Sequence, residues 1–278
     1  MTHPFAQVDV FSSESFGGNP VAVVLDADGL ADDTMQLIAR WTNLSETTFV
    51  LTPSDADADY QVRIFTPAGE LPFAGHPTLG TCHAWLEAGG TARPDGTVVQ
   101  QCPAGLVTVR SGGSDGRLAF AAPPLVRSGP VDDATVAEAV AAVELDPACV
   151  LAAEWVDNGP GWLALLVDSP ATVLAARAGA TDLKIGLVAA YPEGSPEAIE
   201  VRAFFPADGR LFEDPVTGSL NASLGQWLTS SGRVTAPYVA AQGRALGRAG
   251  RVHVELDENG AVWVGGATVT RVSGTIEA

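Results

Sequence analysis

The sequence predicts an α+β protein built from two related domains. Three observations carry that expectation. Stretches with strand character outnumber stretches with helical spacing, and the two do not alternate in the βαβ order of a doubly wound parallel sheet. One strand–loop–helix pattern occurs twice, once in each half of the chain. Finally, 278 residues divide into roughly two domains at about 150 residues each. With 46% hydrophobic and 17% charged residues the chain has the apolar content to build packed cores, which excludes a disordered protein.

Taken in order, residues 6–11 (AQVDVF) have a strand pattern. Gly17, Gly18, Asn19 and Pro20 then make a tight connection to a second apolar run at 21–27. Asp32 and Asp33 open a helix with Met35, Ile38, Ala39 and Trp41 at apolar spacing. The β-like DYQVRIFTP and the loop AGELPFAGHP lead to a helix with Leu79, Cys82, Trp85 and Leu86 at 3–4 spacing, stopped by Gly89 and Gly90. Strands follow at 97–101, 105–110 and 117–121. Residues 122–132, with three prolines, are the linker, so the expected domains are 1–124 and 125–278, the final residues having the option of pairing back onto the first. The second half opens with the helical DDATVAEAVAAV. It continues with β runs near 162–167 and 184–191, then EVRAFFP, the loop ADGRLFEDPVTG and the helix SLNASLGQWLTSSG. Glycine-punctuated strands at 251–257, 261–265 and 268–276 finish the chain.

Charge excludes some functions. Fifteen basic against 33 acidic residues give a net charge of −18, which repels nucleic acid and anionic membrane. Lys184 is the only lysine. No apolar run approaches the ~18 residues of a membrane span, and Met-Thr-His-Pro-Phe has neither the basic nor the apolar region of a secretory signal. Cys82, Cys102 and Cys149 are odd in number and form no C-x-x-C pair, which fits a reducing compartment, so the cytoplasm is expected. There is no G-x-G-x-x-G after a strand and no Walker loop; His3, His76, His83 and His253 are scattered, and no motif surrounds Lys184. No metal, nicotinamide, flavin or pyridoxal phosphate is expected.

The repeat is the sharpest signal. Val62-Arg63-Ile64-Phe65-Thr66-Pro67-Ala68 is followed, 14 residues after its valine, by His76-Pro77-Thr78-Leu79-Gly80. Val201-Arg202-Ala203-Phe204-Phe205-Pro206-Ala207 is followed, 13 residues after its valine, by Asp214-Pro215-Val216-Thr217-Gly218. Each copy reads as a strand and a loop ending at a proline in the first turn of a helix, where a missing N–H costs nothing. The N–H groups around Thr78–Gly80 and Thr217–Ser219 then either bind an anion or are simply capped. His76 and Asp214 take equivalent places before the two prolines. Glu46, in Asn43-Leu44-Ser45-Glu46-Thr47-Thr48, is either a turn residue or a partly desolvated base.

Taken together, these segments resemble the phenazine-biosynthesis PhzF-like family over essentially the whole chain. The resemblance lies in VDVFSSESFGGNPVAVVLDADGL at 8–30, IARWTNLSETTFVL at 38–51, RIFTPAGELPFAGHPTLGT at 63–81, VRAFFPADGRLFEDPVTGSLNASLGQWL at 201–228 and QGRALGRAGRVHVEL at 242–256. It implies the diaminopimelate-epimerase fold, two domains each with a curled antiparallel sheet around a central helix and the site in the cleft between them. It also implies a homodimer.

Carried over by residue, the resemblance makes Glu46 the general acid/base, with His76, Asp214 and Ser219 as its catalytic partners. Asn19, Gly75, Pro77, Thr78, Thr217 and Gly218 would line the substrate site. Epimerases of this fold place a cysteine at each of the two facing loop positions. Here His76 and Asp214 stand there and Cys82 reads as packing, which disfavours a two-thiol racemase. Trp41 and Leu220 depart from the family pattern near motif residues and leave the pocket's shape open. The implied activity is a cofactor-independent isomerase. It moves a proton between carbons of a small carboxylate-bearing alkene or diene, amino-acid-derived or dihydrohydroxyanthranilate-like, in secondary-metabolite or antibiotic biosynthesis. An epimerase of the same fold and a noncatalytic binding module are the alternatives, and the set Glu46, His76, Asp214 and Ser219 speaks against the latter.

Overall fold

In the computed structural model, which describes residues 1–111 and 116–278, the chain forms two units. One comprises Met1–Ala121 with Gly265–Ala278, the other Ala122–Val264.

The first unit contains strands β1 (Thr2–Val10) and β2 (Asn19–Val24), helix α1 (Asp32–Thr42), and strands β3 (Glu46–Leu51), β4 (Tyr60–Phe65) and β5 (Glu70–Leu71). Helix α2 (Gly75–Glu87) and strands β6 (Thr97–Cys102), β7 (Gly105–Ser111) and β8 (Leu118–Ala121) follow. The second unit holds β9 (Arg127–Pro130), α3 (Asp133–Ala142), β10 (Val150–Asp157), β11 (Trp162–Val167), α4 (Pro170–Ala175) and β12 (Lys184–Ala190). It continues with β13 (Ile199–Ala207), β14 (Arg210–Asp214), α5 (Gly218–Ser230), β15 (Tyr238–Gln242) and β16 (Gly250–Leu256). The chain then runs through β17 (Val262–Gly266) to β18 (Thr268–Glu277), which pairs with β1 in the first unit. This is the expected α+β class: many strands, mostly antiparallel, and five α-helices among the described residues.

Both units use one order of strand pairing. In the first, β1–β2 is antiparallel, β2–β3 parallel, β3–β4 and β4–β5 antiparallel, β4–β6 parallel and β6–β7 antiparallel. In the second, β10–β11, β11–β12, β12–β13, β13–β14, β13–β15 and β15–β16 repeat those senses one for one. The V-R-x-F segments fall on β4 and β13. The 13-residue helices α2 and α5 follow β5 and β14.

Each unit closes around its own apolar residues. Helix α2 packs on β1, β2, β3, β6, β7, β8 and β18, and every residue from Gly75 to Cys82 is buried. Gly80 allows that approach, because a Cβ there would lie 2.3 Å from Val21 Cγ1. In the second unit every residue of β11 (WLALLV) is buried, as befits a strand with a neighbour on each side. Leu220 of α5 sits over Gly186 of β12, where an added Cβ would come within 2.5 Å of its Cδ1. Leu220 is therefore a core residue.

Several local expectations are corrected. Trp41 does not belong to the buried stripe of α1, which is Met35, Ile38 and Ala39; it is 80% exposed. The proline-rich 122–132 stretch is no plain linker, since β9 lies inside it and pairs with β10. The supposed loop 207–218 contains β14 in a hairpin with β13. The two units divide between Ala121 and Ala122.

Candidate active site

Asn19, Glu46 and His76 meet in the first unit. Glu46 is the first residue of β3, not a turn residue, and its backbone pairs with Val21 of β2. His76 is the second residue of α2 and is buried. Its Nε2 lies 3.4 Å from Glu46 Oε2, and its Nδ1 lies 3.4 Å from Asn19 Nδ2. The imidazole thus faces the carboxylate with one nitrogen and the amide with the other. Burial pushes His76 down to about 3, against a weaker opposing pull from the Pro20 backbone, so the ring is neutral at neutral pH.

Asn19 is held from behind. The Gly18 N–H donates to Asp9 Oδ1 at 3.0 Å, and a Cβ on Gly18 would come within 2.1 Å of the Val10 carbonyl oxygen. Only glycine fits there, which is the physical content of the G-N-P motif.

The helix starts are unusual in what they lack. Helices α3 and α4 are capped by Asp132 and Ser169, and α1 carries Asp32 and Asp33 in its first turn. Helices α2 and α5 have neither a capping side chain nor an acidic residue in the first turn. Simple capping by the preceding side chain is thereby ruled out for both.

The free donors are not all where the sequence placed them. Pro77 is the third residue of α2, within its first turn, but Thr78 already donates its N–H to the Ala74 carbonyl at 3.2 Å. The Thr78 hydroxyl also donates to that carbonyl and accepts from Gln100 Nε2, and the residue is buried. The Gly75 and His76 N–H groups are the ones without a helical partner. Pro215 lies outside α5, which begins at Gly218. The Thr217 N–H is taken by Gln242 Oε1 at 3.1 Å, leaving Gly218 and Ser219 at the helix start.

The structure also corrects the equivalence of His76 with Asp214. Asp214 ends β14, four residues before its helix, and accepts the Thr217 hydroxyl at 2.5 Å. Counted from the two glycines that start α2 and α5, the counterpart of His76 is Ser219. Ser219 Oγ accepts from Trp162 Nε1 at 3.0 Å, and its carbonyl accepts from Asn158 Nδ2 at 2.9 Å.

Sequence reasoning missed the supporting residues Asp9, Gln242, Asn158 and Trp162. Gln242 bonds Thr217, Asn221 and the Asp214 carbonyl together. Its signal in the sequence was a polar residue ending the otherwise apolar YVAAQ. Cys82 is fully buried and burial pushes its thiol up to about 12. No group of three or more His, Cys, Asp or Glu among the described residues is arranged to hold a metal ion. A cavity of about 350 Å³ in the first unit, walled by Thr52, Tyr60 and Trp85, includes none of the site residues.

Two α+β units with one order of strand pairing are the fold of a known class of proteins. The profile of the phenazine biosynthesis-like protein family matches residues 8–274, and the chain belongs to that family. It is 36% identical to antisense-enhancing sequence 1 of Schizosaccharomyces pombe, over 98% of each chain. Over 30% of its length it is 56% identical to trans-2,3-dihydro-3-hydroxyanthranilate isomerase of Pseudomonas aeruginosa, covering 29% of that protein. The fold matches a PhzF-family phenazine biosynthesis protein from Bacillus anthracis with a TM-score of 0.84, 22% identity and full coverage of both chains. The chain is an isomerase of this family. No helix among its described residues is long and apolar enough to cross a membrane.

Proposed function

We propose that the protein is a cofactor-independent isomerase. It shifts a proton between two carbons of a small carboxylate-bearing alkene or diene, of the dihydrohydroxyanthranilate type or derived from an amino acid, in secondary-metabolite biosynthesis. The observation that carries this reading is the Glu46 carboxylate 3.4 Å from the buried imidazole of His76 at an uncapped helix start.

In this reading Glu46 takes the proton from one carbon. The C–H electron pair moves into the conjugated system, and the same carboxyl returns the proton to a carbon farther along. Neutral His76 orients the Glu46 carboxyl without competing for the proton. The Gly75 and His76 N–H groups offer the substrate carboxylate the positive helix end. Gly75, Pro77 and Asn19 shape that position. Asp214, Ser219, Thr217 and Gly218 are proposed as further site residues. One carboxylate base on one face suits a 1,3- or longer proton shift better than racemisation, which needs a base on each face. The enzyme is proposed to work as a homodimer in the cytoplasm.

The test is turnover of trans-2,3-dihydro-3-hydroxyanthranilate in deuterated buffer, followed by proton NMR. Glu46→Gln keeps the shape but cannot accept the proton, and should lower kcat on the order of 10²–10⁴ with a much smaller change in KM. A wild-type rate for Glu46→Gln refutes the base assignment.

A further inference from the structure

The chain's only lysine stands where the second unit has its counterpart of Glu46. Register fixes the equivalence. Thr47 pairs with Phe65 and Ile185 with Phe204, and the two phenylalanines hold the same place in the V-R-x-F repeat. One residue earlier come Glu46 and Lys184, each the first residue of its strand. Each also has a parallel neighbour, Glu46 lying opposite Val21 and Lys184 opposite Trp162. Where one unit has a carboxylate beside the second residue of its central helix, the other has a cation at the equivalent strand position.

Lys184 acts through a short relay. Its Nζ donates to the Pro160 carbonyl at 2.6 Å. Pro160 belongs to the turn between β10 and β11, which Asp157 Oδ1 tightens by accepting from the Gly159 and Gly161 N–H groups at 2.7 and 2.6 Å. The residues two positions to either side of that proline both reach Ser219: Asn158 bonds its carbonyl and Trp162 its hydroxyl oxygen. An indole N–H can only donate, so Ser219 Oγ is the acceptor in that bond and its own proton is left for another acceptor.

We propose that Lys184 is a positioning residue. It pins the 157–162 turn so that Trp162 and Asn158 hold Ser219 with its hydroxyl proton directed to an anionic group of the substrate, of which a carboxylate is the expected case. The inference rests on the reading of Ser219 as a site residue. It adds the reason why a lysine, with a long stem and a donor-only head, occupies the place of a base.

Lys184→Met keeps the stem and removes the donor; Lys184→Arg keeps a donor. Two readouts separate the inference from the reading beneath it. The first needs no substrate: hydrogen exchange of the Trp162 indole N–H, assigned among the six indole signals with Trp162→Phe. Lys184→Met should exchange at least tenfold faster than wild type, and Lys184→Arg should restore most of the protection. The second uses trans-2,3-dihydro-3-hydroxyanthranilate. Lys184→Met should raise KM about tenfold with a smaller effect on kcat, and should add nothing in a Ser219→Ala background. Unchanged indole exchange, or an equal loss with and without Ser219, overturns the relay. If Ser219→Ala alone turns over like wild type, the site reading itself fails, and the exchange experiment still decides whether Lys184 holds the turn. Should Lys184→Met not fold, Trp162→Phe breaks the relay one bond farther on and must raise KM likewise; a wild-type KM there overturns the proposal.

Discussion

Arg63 and Arg202 hold the same position in the two copies of the repeat, and both grip a glutamate with two parallel bonds. They differ in solvent exposure and in their remaining partners, Arg63 holding Asp32 as well and Arg202 only backbone carbonyls, so the two can be compared within one molecule. Arg202 donates through Nε and Nη2 to Glu213 at 3.1 and 2.6 Å, with side-chain exposures of 7% and 6%. Its Nη1 donates to the carbonyls of Val173, Leu174 and Ala176 at the end of α4. Arg63 makes the same paired contact with Glu70 at 2.8 and 2.7 Å, but the side chains are 21% and 30% exposed. Glu213→Gln strands a guanidinium out of water. Breaking such a buried pair costs about 3–5 kcal/mol. The lower end, about 3 kcal/mol, is expected because the α4 carbonyls and the new amide oxygen still accept. Glu70→Gln should cost about 1 kcal/mol or less, since water screens that pair and Arg63 keeps Asp32 as a second acidic partner at 2.5 Å. Urea unfolding followed by circular dichroism measures both. Equal costs for the two variants, or less than about 1 kcal/mol for Glu213→Gln, would refute burial as the deciding term.

Three further outcomes are expected. The unfolded chain protonates His76 near 6.5 and the folded chain only near 3, so its contribution to stability is whole above pH 6.5 and is lost as the pH falls towards 3, by up to about 1.4 kcal/mol per pH unit. His76→Gln should remove that slope, and an imidazole signal assigned to His76 that titrates between pH 8 and 5 would contradict it. Burial raises the Cys82 thiol to about 12, and burial also raises Cys102 and Cys149; iodoacetamide at pH 7.5 should therefore leave turnover intact, with Cys82 labelled only after denaturation, as mass spectrometry of the peptides will show. Gly186→Ala pushes a methyl to 2.5 Å from Leu220 Cδ1 and should cost about 1–3 kcal/mol. Leu220→Ala alone should cost about 2–5 kcal/mol, and additive costs in the double variant would show that the two residues do not touch.

The parts of the fold that could be read from sequence were those with a strong local pattern. The continuous apolar run of β11, the acidic start of α1 and the paired V-R-x-F strands lie where expected. Strand β10 was missed because VLAAEWVD is alanine-rich and mostly half-buried, with no clear alternation. Helix α4 was missed because six residues are too few to show a helical period. Trp41 misled because apolar spacing marks a face without saying what covers it. At the site, residue types were legible but donors were not. Whether Thr78 has a free N–H depends on a helix beginning at Gly75 rather than after Pro77, and sequence locates such a boundary only to within a few residues. The role of Gln242 needs a contact with Thr217 across 25 positions, which no local pattern encodes.

The pairing of β18 with β1, from Thr2 opposite Glu277 to Val10 opposite Thr268, has a consequence for how the protein is made. A ribosome releases β1 well before its partner, and at about 5–20 residues per second β1 waits roughly 10–50 s for that neighbour. The second unit, Ala122–Val264, is one uninterrupted stretch, and β9 to β16 have all been synthesised before β18 emerges. The half that is translated first is therefore the last to be closed. Throughout that interval β1 presents an open strand edge, the kind of surface that captures other extended chains. Ribosome stalling before residue 268 would leave the nascent protein with a complete second unit and a first unit open to such capture.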